Sequence, residues 1–321
     1  MSRMIAAALA LLLSVPPAAA QPPAPDSDAM LREHLWHQVR SLPVGERPRV
    51  GLVLSAGAVR GIAHIGVIQV LEDAGFPIDV VAGTSMGAVI GSMYAAGLDM
   101  KTLRSFPDHL TLSSGSNFNT IRLFRLLIND SLMSTKNFEK VLHSWIGDKK
   151  FHETLKPFAC VAMDLRTGEK IIFRDGPLAP AVRASMNLPG LFAPVQYRHR
   201  YLVDGGVVDF IPVDAARLLG AEWIIASVTE ADFTKERPTN VLSTMMQIFD
   251  IRGSILSRQQ REEADIVIEP DVSEIVYYDV SRGDWVMEQG MIAAKASITR
   301  AKDALILRTL PGLWKRWNPK S

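Results

Sequence analysis

Cysteine is nearly absent: Cys160 is the only one in 321 residues, so no intramolecular disulfide can form. No cysteine lies near residue 21 to accept a lipid. Cys160 sits in the apolar run Phe158 to Met163 with nothing nearby to lower its pKa, which marks a structural thiol rather than a nucleophile. Neither sign of charge is in excess, since 35 Lys and Arg stand against 34 Asp and Glu for a formal +1. Nucleic-acid partners select strongly basic surfaces, so none is expected. No run of about 18 or more apolar residues occurs, which argues against an integral membrane domain. Histidine is absent after residue 199, and no metal-ligand cluster or internal repeat is evident.

What is present suits a folded core, with 48% hydrophobic and 21% charged residues. Residues 1–20 read as a signal peptide: Arg3 is the charged start, Ile5 to Val15 the apolar centre, and Ala18-Ala19-Ala20 the small-residue cleavage site. Export without disulfides fits the periplasm or the medium of a bacterium. Residues 21–48 hold a Pro- and Ala-rich linker and a short leading helix over Ala29 to Arg40. Residues 49–321 are expected to form one domain with a C-terminal helical extension.

From Val50 onward an apolar strand, a glycine-containing turn and a helix occur twice in succession. Val50 to Leu54 and Ile78 to Ala82 are the strands, and Ile62 to Ala74 and Met86 to Ala96 the helices. Such units predict parallel strands joined by crossovers. Strands are also expected at Phe158 to Met163, Lys170 to Phe173, Tyr201 to Val203, Trp223 to Val228 and Asp265 to Ile268. Helices are expected at Ala179 to Met186, Val213 to Leu219 and Asp284 to Leu307.

Gly83-Thr84-Ser85-Met86-Gly87 has the form of a nucleophile elbow, with Gly83 and Gly87 letting strand and helix approach closely around Ser85. A nucleophilic serine needs a base. The order Ser…Asp…His would require Asp164 or Asp175 followed by His199, and His199 lies in the charged turn Arg198-His199-Arg200. Asp204, at the end of an apolar strand and followed by Gly205 and Gly206, is the better partner. A free aspartate, with a pKa of about 3.9, is a feeble base until desolvation raises it. Ser55 to Gly61 forms a small-residue loop before a helix, where backbone amides can meet a developing oxyanion. Arg60 and Gly61 close that loop, and Arg60 either steadies it or attracts an anionic head group. Read alone, the same loop is also compatible with phosphate binding in a nucleotide-binding α/β protein.

Taken together, these stretches resemble the patatin-like phospholipase family, in particular bacterial members related to neuropathy target esterase. The glycine-rich loop, the G-x-S-x-G elbow and the D-G-G motif carry the resemblance, together with Ile62 to Gly66, Met163 to Gly168, Arg183 to Gly190 and Ala264 to Pro270. The resemblance implies a three-layer α/β fold with a mainly parallel central sheet flanked by helices. It implies a Ser–Asp dyad, Ser85 as nucleophile and Asp204 as base, acting through an acyl-enzyme without histidine, metal or other cofactor. Its substrates would be phospholipids or lysophospholipids. The oxyanion hole would be built from Ala56, Gly57 and Ala58, where the family usually carries G-G-G-x-R-G. The alanines keep their amides but disfavour positive φ, which also leaves a non-catalytic lipid-binding relative as an alternative. Peripheral membrane contact is one reading of two segments. Ile121 to Ile128 reads either as a buried core helix, the more economical explanation, or as an amphipathic cap facing a membrane. Trp314 and Trp317 beside Lys315 and Arg316 read either as an interfacial contact or as a basic tail.

Overall fold

The computed structural model describes residues 27–108, 135–234, 237–275 and 280–318. The expected signal peptide and the segment 121–128 lie outside the described residues. The chain divides into a leading unit, Met1–Gln38, and a second, Val39–Ser321. Helix α1 (Ser27–Ser41) brackets the expected leading helix, with Asp28 in its first turn and Arg40 in its last, an order that suits the helix dipole.

In the second unit the elements follow in order: β1 (Val50–Leu54), α2 (Ala63–Asp73), β2 (Val80–Thr84), α3 (Met86–Ala95), α4 (Met100–Arg104) and α5 (Lys136–Ile146). Next come β3 (Phe158–Asp164), β4 (Lys170–Phe173), α6 (Leu178–Ser185), β5 (Val195–Tyr197) and β6 (Arg200–Asp204). The chain continues through α7 (Val213–Leu218), β7 (Trp223–Ser227), α8 (Val241–Gln260), β8 (Ile266–Ile268) and α9 (Gly283–Trp317). The strands form one sheet in the order β5-β6-β3-β2-β1-β7-β8, with β4 also paired to β3. Pairing is parallel from β3 through β2, β1 and β7 to β8, and antiparallel where β4 and β6 meet β3 and where β5 meets β6.

β1, β2 and β7 are buried at every residue, as expected of strands covered on both faces. Alternate side chains divide between two layers. Leu54, Val81 and Phe158 meet α3 around Gly91, while Val53, Ala82, Val161 and Ala226 join Val213 and Ala216 of α7. Helix α9 packs along α2. The three-layer α/β architecture with a mainly parallel sheet is therefore as expected. Among the described residues no helix is long and apolar enough to cross a membrane.

Two differences matter. The expected helix Asp284 to Leu307 runs ten residues further and through Pro311, with Leu305, Thr309 and Leu313 buried along one face. Helix α8 (Val241–Gln260) is the second, unexpected because its apolar residues are spread over both sides, Met246 and Leu256 inward and Ile248, Ile251 and Ile255 outward.

Candidate active site

Strand register decides where Ser85 and Asp204 lie. One edge of β3 is taken by β4, which pairs with Cys160 to Met163. The other edge is shared end to end. β2 pairs Val81–Thr84 with Phe158–Val161, and β6 then pairs Leu202–Asp204 with Asp164–Ala162. Because β6 runs antiparallel to β3, the carboxyl tips of β2 and β6 meet head-on beside Val161 and Ala162. Ser85 follows one tip and Asp204 is the other. The Ser85 hydroxyl donates to Asp204 Oδ2 at 2.5 Å.

Backbone geometry supports this meeting. Ser85 has φ 56° and ψ −123°, a strained conformation for a residue with a β-carbon, held between β2 and α3. A β-carbon at Gly83 would lie 2.3 Å from the Gly87 carbonyl, and one at Gly87 2.3 Å from that of Leu54. Gly205 passes over β3 so closely that a β-carbon there would lie 2.4 Å from the Val161 carbonyl. The Ser85 amide donates to Ser185 Oγ at 3.0 Å, and Ser185 Oγ donates to the Val161 carbonyl at 2.6 Å. The Asp204 amide donates to the Asn187 carbonyl at 2.9 Å. Asn187 is itself held by Thr135, whose hydroxyl donates to its Oδ1 at 2.9 Å. The end of α6 and the residues just after it thus grip both tips. They were legible in the sequence only as part of a resemblance, with no role attached.

Electrostatics favour proton transfer between the pair. Both side chains are buried, Ser85 at 5% and Asp204 at 2% exposure. Burial pushes the Asp204 carboxyl up to about 6, against the downward pull of hydrogen bonds from Ser85 and from the Gly206 amide, which reaches Oδ1 at 2.7 Å. A carboxylate so placed is ionised at neutral pH and yet a better base than a free one. His199, the alternative base, is exposed in the two-residue turn between β5 and β6. Asp164, the acid that would have partnered it, instead accepts from Arg200 at 3.1 Å and from the Arg166 amide at 3.0 Å.

The loop before α2 departs from expectation at one position. The Ala56 amide donates to the Phe210 carbonyl at 2.9 Å, so Ala56 is not an oxyanion donor. Among the described residues the Gly57 and Ala58 amides make no hydrogen bond, and these two remain. Ala58 does adopt the left-handed region, φ 49°, at a cost on the order of 1 kcal/mol, whereas Ala56 does not. Thr229 holds the loop from below, its amide donating to Ser55 Oγ at 3.0 Å and its hydroxyl to the Ala56 carbonyl at 3.2 Å. His64, fully buried, bridges the Ser55 carbonyl (Nε2, 3.0 Å) and Ser227 Oγ (Nδ1, 2.8 Å). Burial lowers its pKa to about 4, so it stays neutral, with Nε2 donating to the carbonyl. Gly61 packs against Met86 of α3. Arg60 is buried and donates to Asp250 of α8 at 2.6 Å, a partner that no sequence pattern pointed to.

Ser85 and Asp204 open into a cleft lined also by Gly57, Arg60 and Gly206, and closed by Leu188, Phe210, Phe249 and Asp250. The space inside open to water is about 30 Å³, room for a water molecule or two. Among the described residues no group of three or more His, Cys, Asp or Glu is placed to hold a metal ion.

An uncharacterized NTE family protein of Mycobacterium tuberculosis is 29% identical over 280 residues, covering 79% of this chain and 47% of its own length. The chain therefore spans about half the length of that relative. A second M. tuberculosis NTE family protein is 34% identical over 229 residues, covering 66% of this chain and 61% of itself. The lysophospholipase nte1 of Aspergillus fumigatus is 34% identical over 177 residues, 55% of this chain and 12% of that protein. Among solved structures, Legionella pneumophila VipD aligns with a TM-score of 0.47 at 15% identity, covering 78% of this chain and 67% of that one. Human GIVD cytosolic phospholipase A2 aligns at 0.48 and 12% identity, covering 87% and 63%. The patatin-like phospholipase model matches residues 52–217, from β1 through α7. That span takes in the amide loop, Ser85 and Asp204, and this chain belongs to the patatin-like phospholipase family.

Proposed function

We propose that this protein is a serine lipid acyl hydrolase that cleaves phospholipid or lysophospholipid esters through an acyl-enzyme. The observation that carries the reading is the 2.5 Å hydrogen bond from the strained Ser85 hydroxyl to a desolvated Asp204. Ser85 Oγ attacks the ester carbonyl while its proton passes to Asp204. The carbonyl electrons move onto oxygen, where the Gly57 and Ala58 amides are the available donors. Collapse expels the alcohol portion, which takes the proton from Asp204 and leaves an ester on Ser85. Water then attacks that ester, its proton going to Asp204. The second collapse releases the fatty acid and returns the proton to Ser85.

Family membership and the lysophospholipase relative support a lipid substrate, and the burial of Asp204 supports its part as base. The expected signal peptide further suggests an exported protein, periplasmic or secreted, which cell fractionation with N-terminal sequencing of the mature chain would check.

A fluorophosphonate probe tests the chemistry. Labelling of wild type, none of Ser85→Ala, and a fall in ester hydrolysis of at least about 10³-fold in both Ser85→Ala and Asp204→Asn are expected. Vesicle binding without labelling would indicate a non-catalytic lipid binder instead. Lipid-product mass spectrometry on wild type and Ser85→Ala would identify the bond cut.

A further inference from the structure

Helix α8 carries apolar residues on both sides, whereas a surface helix ordinarily buries one apolar stripe and shows polar residues to water. Its inward side carries buried Met246, Leu256 packed on the core, Gly253 against the Phe210 ring, buried Ser257, and Asp250, which pairs with Arg60. Gln260 at its end donates to Asp209 Oδ1 at 2.7 Å and accepts from the Ile211 amide at 2.9 Å. The outward side holds Val241, Ile248, Ile251 and Ile255, exposed by 64%, 58%, 37% and 53%. Spacings of seven, three and four residues put them in one stripe along the helix. Arg252 and Arg258 are exposed beside them, and the outward positions include no acidic residue. The same helix supplies Phe249 and Asp250 to the wall of the cleft over Ser85.

We infer that the outer face of α8 is the docking surface for an anionic lipid bilayer. Isoleucines at helical spacing enter the acyl boundary, while flanking arginines meet anionic head groups. A second copy docked through the same face about a two-fold axis would bring the helix's own arginines toward arginines, the nearest exposed acids in sequence, Glu262 and Glu263, lying beyond its end. A bilayer has no such conflict. The inference takes its lipid partner from the proposed activity, and it extends that activity by naming where the enzyme meets its substrate's surface. Docked this way, the helix that bounds the cleft is the one in contact with the membrane.

The test is sedimentation with vesicles of phosphatidylcholine and phosphatidylglycerol, in the Ser85→Ala background so that lipid is not consumed. Ser85→Ala protein should pellet with these vesicles and much less with pure phosphatidylcholine. Adding Ile248→Ser and Ile255→Ser should lower the bound fraction at least tenfold. The same pair with Ser85 restored should hydrolyse soluble p-nitrophenyl butyrate at the wild-type rate, showing an intact fold and cleft. Because Cys160 is buried, Ile255→Cys offers a selective labelling site, and an environment-sensitive fluorophore there should shift to the blue on adding anionic vesicles. Unchanged vesicle binding in the double variant or an unshifted label would overturn the inference. So would a dimer, seen by light scattering, that the double variant dissociates without any vesicle binding. A protein that binds vesicles through α8 but cleaves no ester would leave the docking surface standing and remove the hydrolase reading.

Discussion

For the proposed chemistry Asp204 must be ionised to take a proton, yet the position that lets it reach Ser85 is dry. Burial raises its pKa to about 6, and hydrogen bonds from Ser85 and Gly206 limit the rise. The free enzyme should therefore gain activity as pH rises through about 6. With a soluble ester, kcat/KM is expected to climb about tenfold per pH unit below that value and level off above it, as one ionisation requires. A profile still rising steeply through pH 8 would point to a different base. Arg60 shows the same dependence of role on surroundings. Its side chain is held by Asp250, so a head group reaching it would have to compete with a carboxylate already in place.

Among elements, the decisive feature is the head-on meeting of β2 and β6 along one edge of β3. The turn after β6 clears β3 only because residue 205 has no side chain. Gly205→Ala must push backbone against the Val161 carbonyl, and overpacking of this kind costs roughly 1–3 kcal/mol. Urea denaturation should show that loss, and ester hydrolysis should fall further than stability does, because the shift moves Asp204 away from Ser85. Unaltered kcat in Gly205→Ala would mean that the turn does not position the carboxylate. Much of this level was legible in the sequence. Each strand–helix unit is encoded by neighbouring residues, so β1, β2, α2 and α3 lie within a few residues of their expected places. Helix α8 was not legible, because its apolar residues fall on both sides, Met246 and Leu256 inward and Ile248, Ile251 and Ile255 outward, so no single stripe stands out from the pattern.

For the molecule as a whole, two buried groups work against each other as pH falls. His64 is held neutral, with its pKa lowered to about 4, so its contribution to stability is present above its ordinary 6.5 and is lost as pH drops toward 4. Asp204 has the opposite sign. Its folded pKa of about 6 exceeds the ordinary 3.8, so its contribution is present below 3.8 and lost as pH rises through 6. Removing the aspartate charge should leave only the histidine effect of the two. Asp204→Asn is expected to be more stable than wild type at pH 8, by on the order of 3 kcal/mol. Most of that margin should be gone by pH 4, and paired urea titrations at the two pH values would show it. Equal stability at pH 8 would mean that the carboxylate is better solvated than its burial indicates.

The chain by itself determined the alternation of strands and helices and the sharp turn at Ser85, and it pointed to Asp204 rather than His199 as the side chain beside Ser85, since each rests on short-range pattern and residue chemistry. Only the tertiary structure decided that the Ala56 amide is used up by Phe210, that Ser185 and Asn187 hold the two tips, and that α8 walls the cleft. Those outcomes join residues 17 to 190 positions apart, through strand register and the seating of helices on the sheet. No local run of amino acids carries that information, because the free energy that selects one register comes from the whole buried sheet at once.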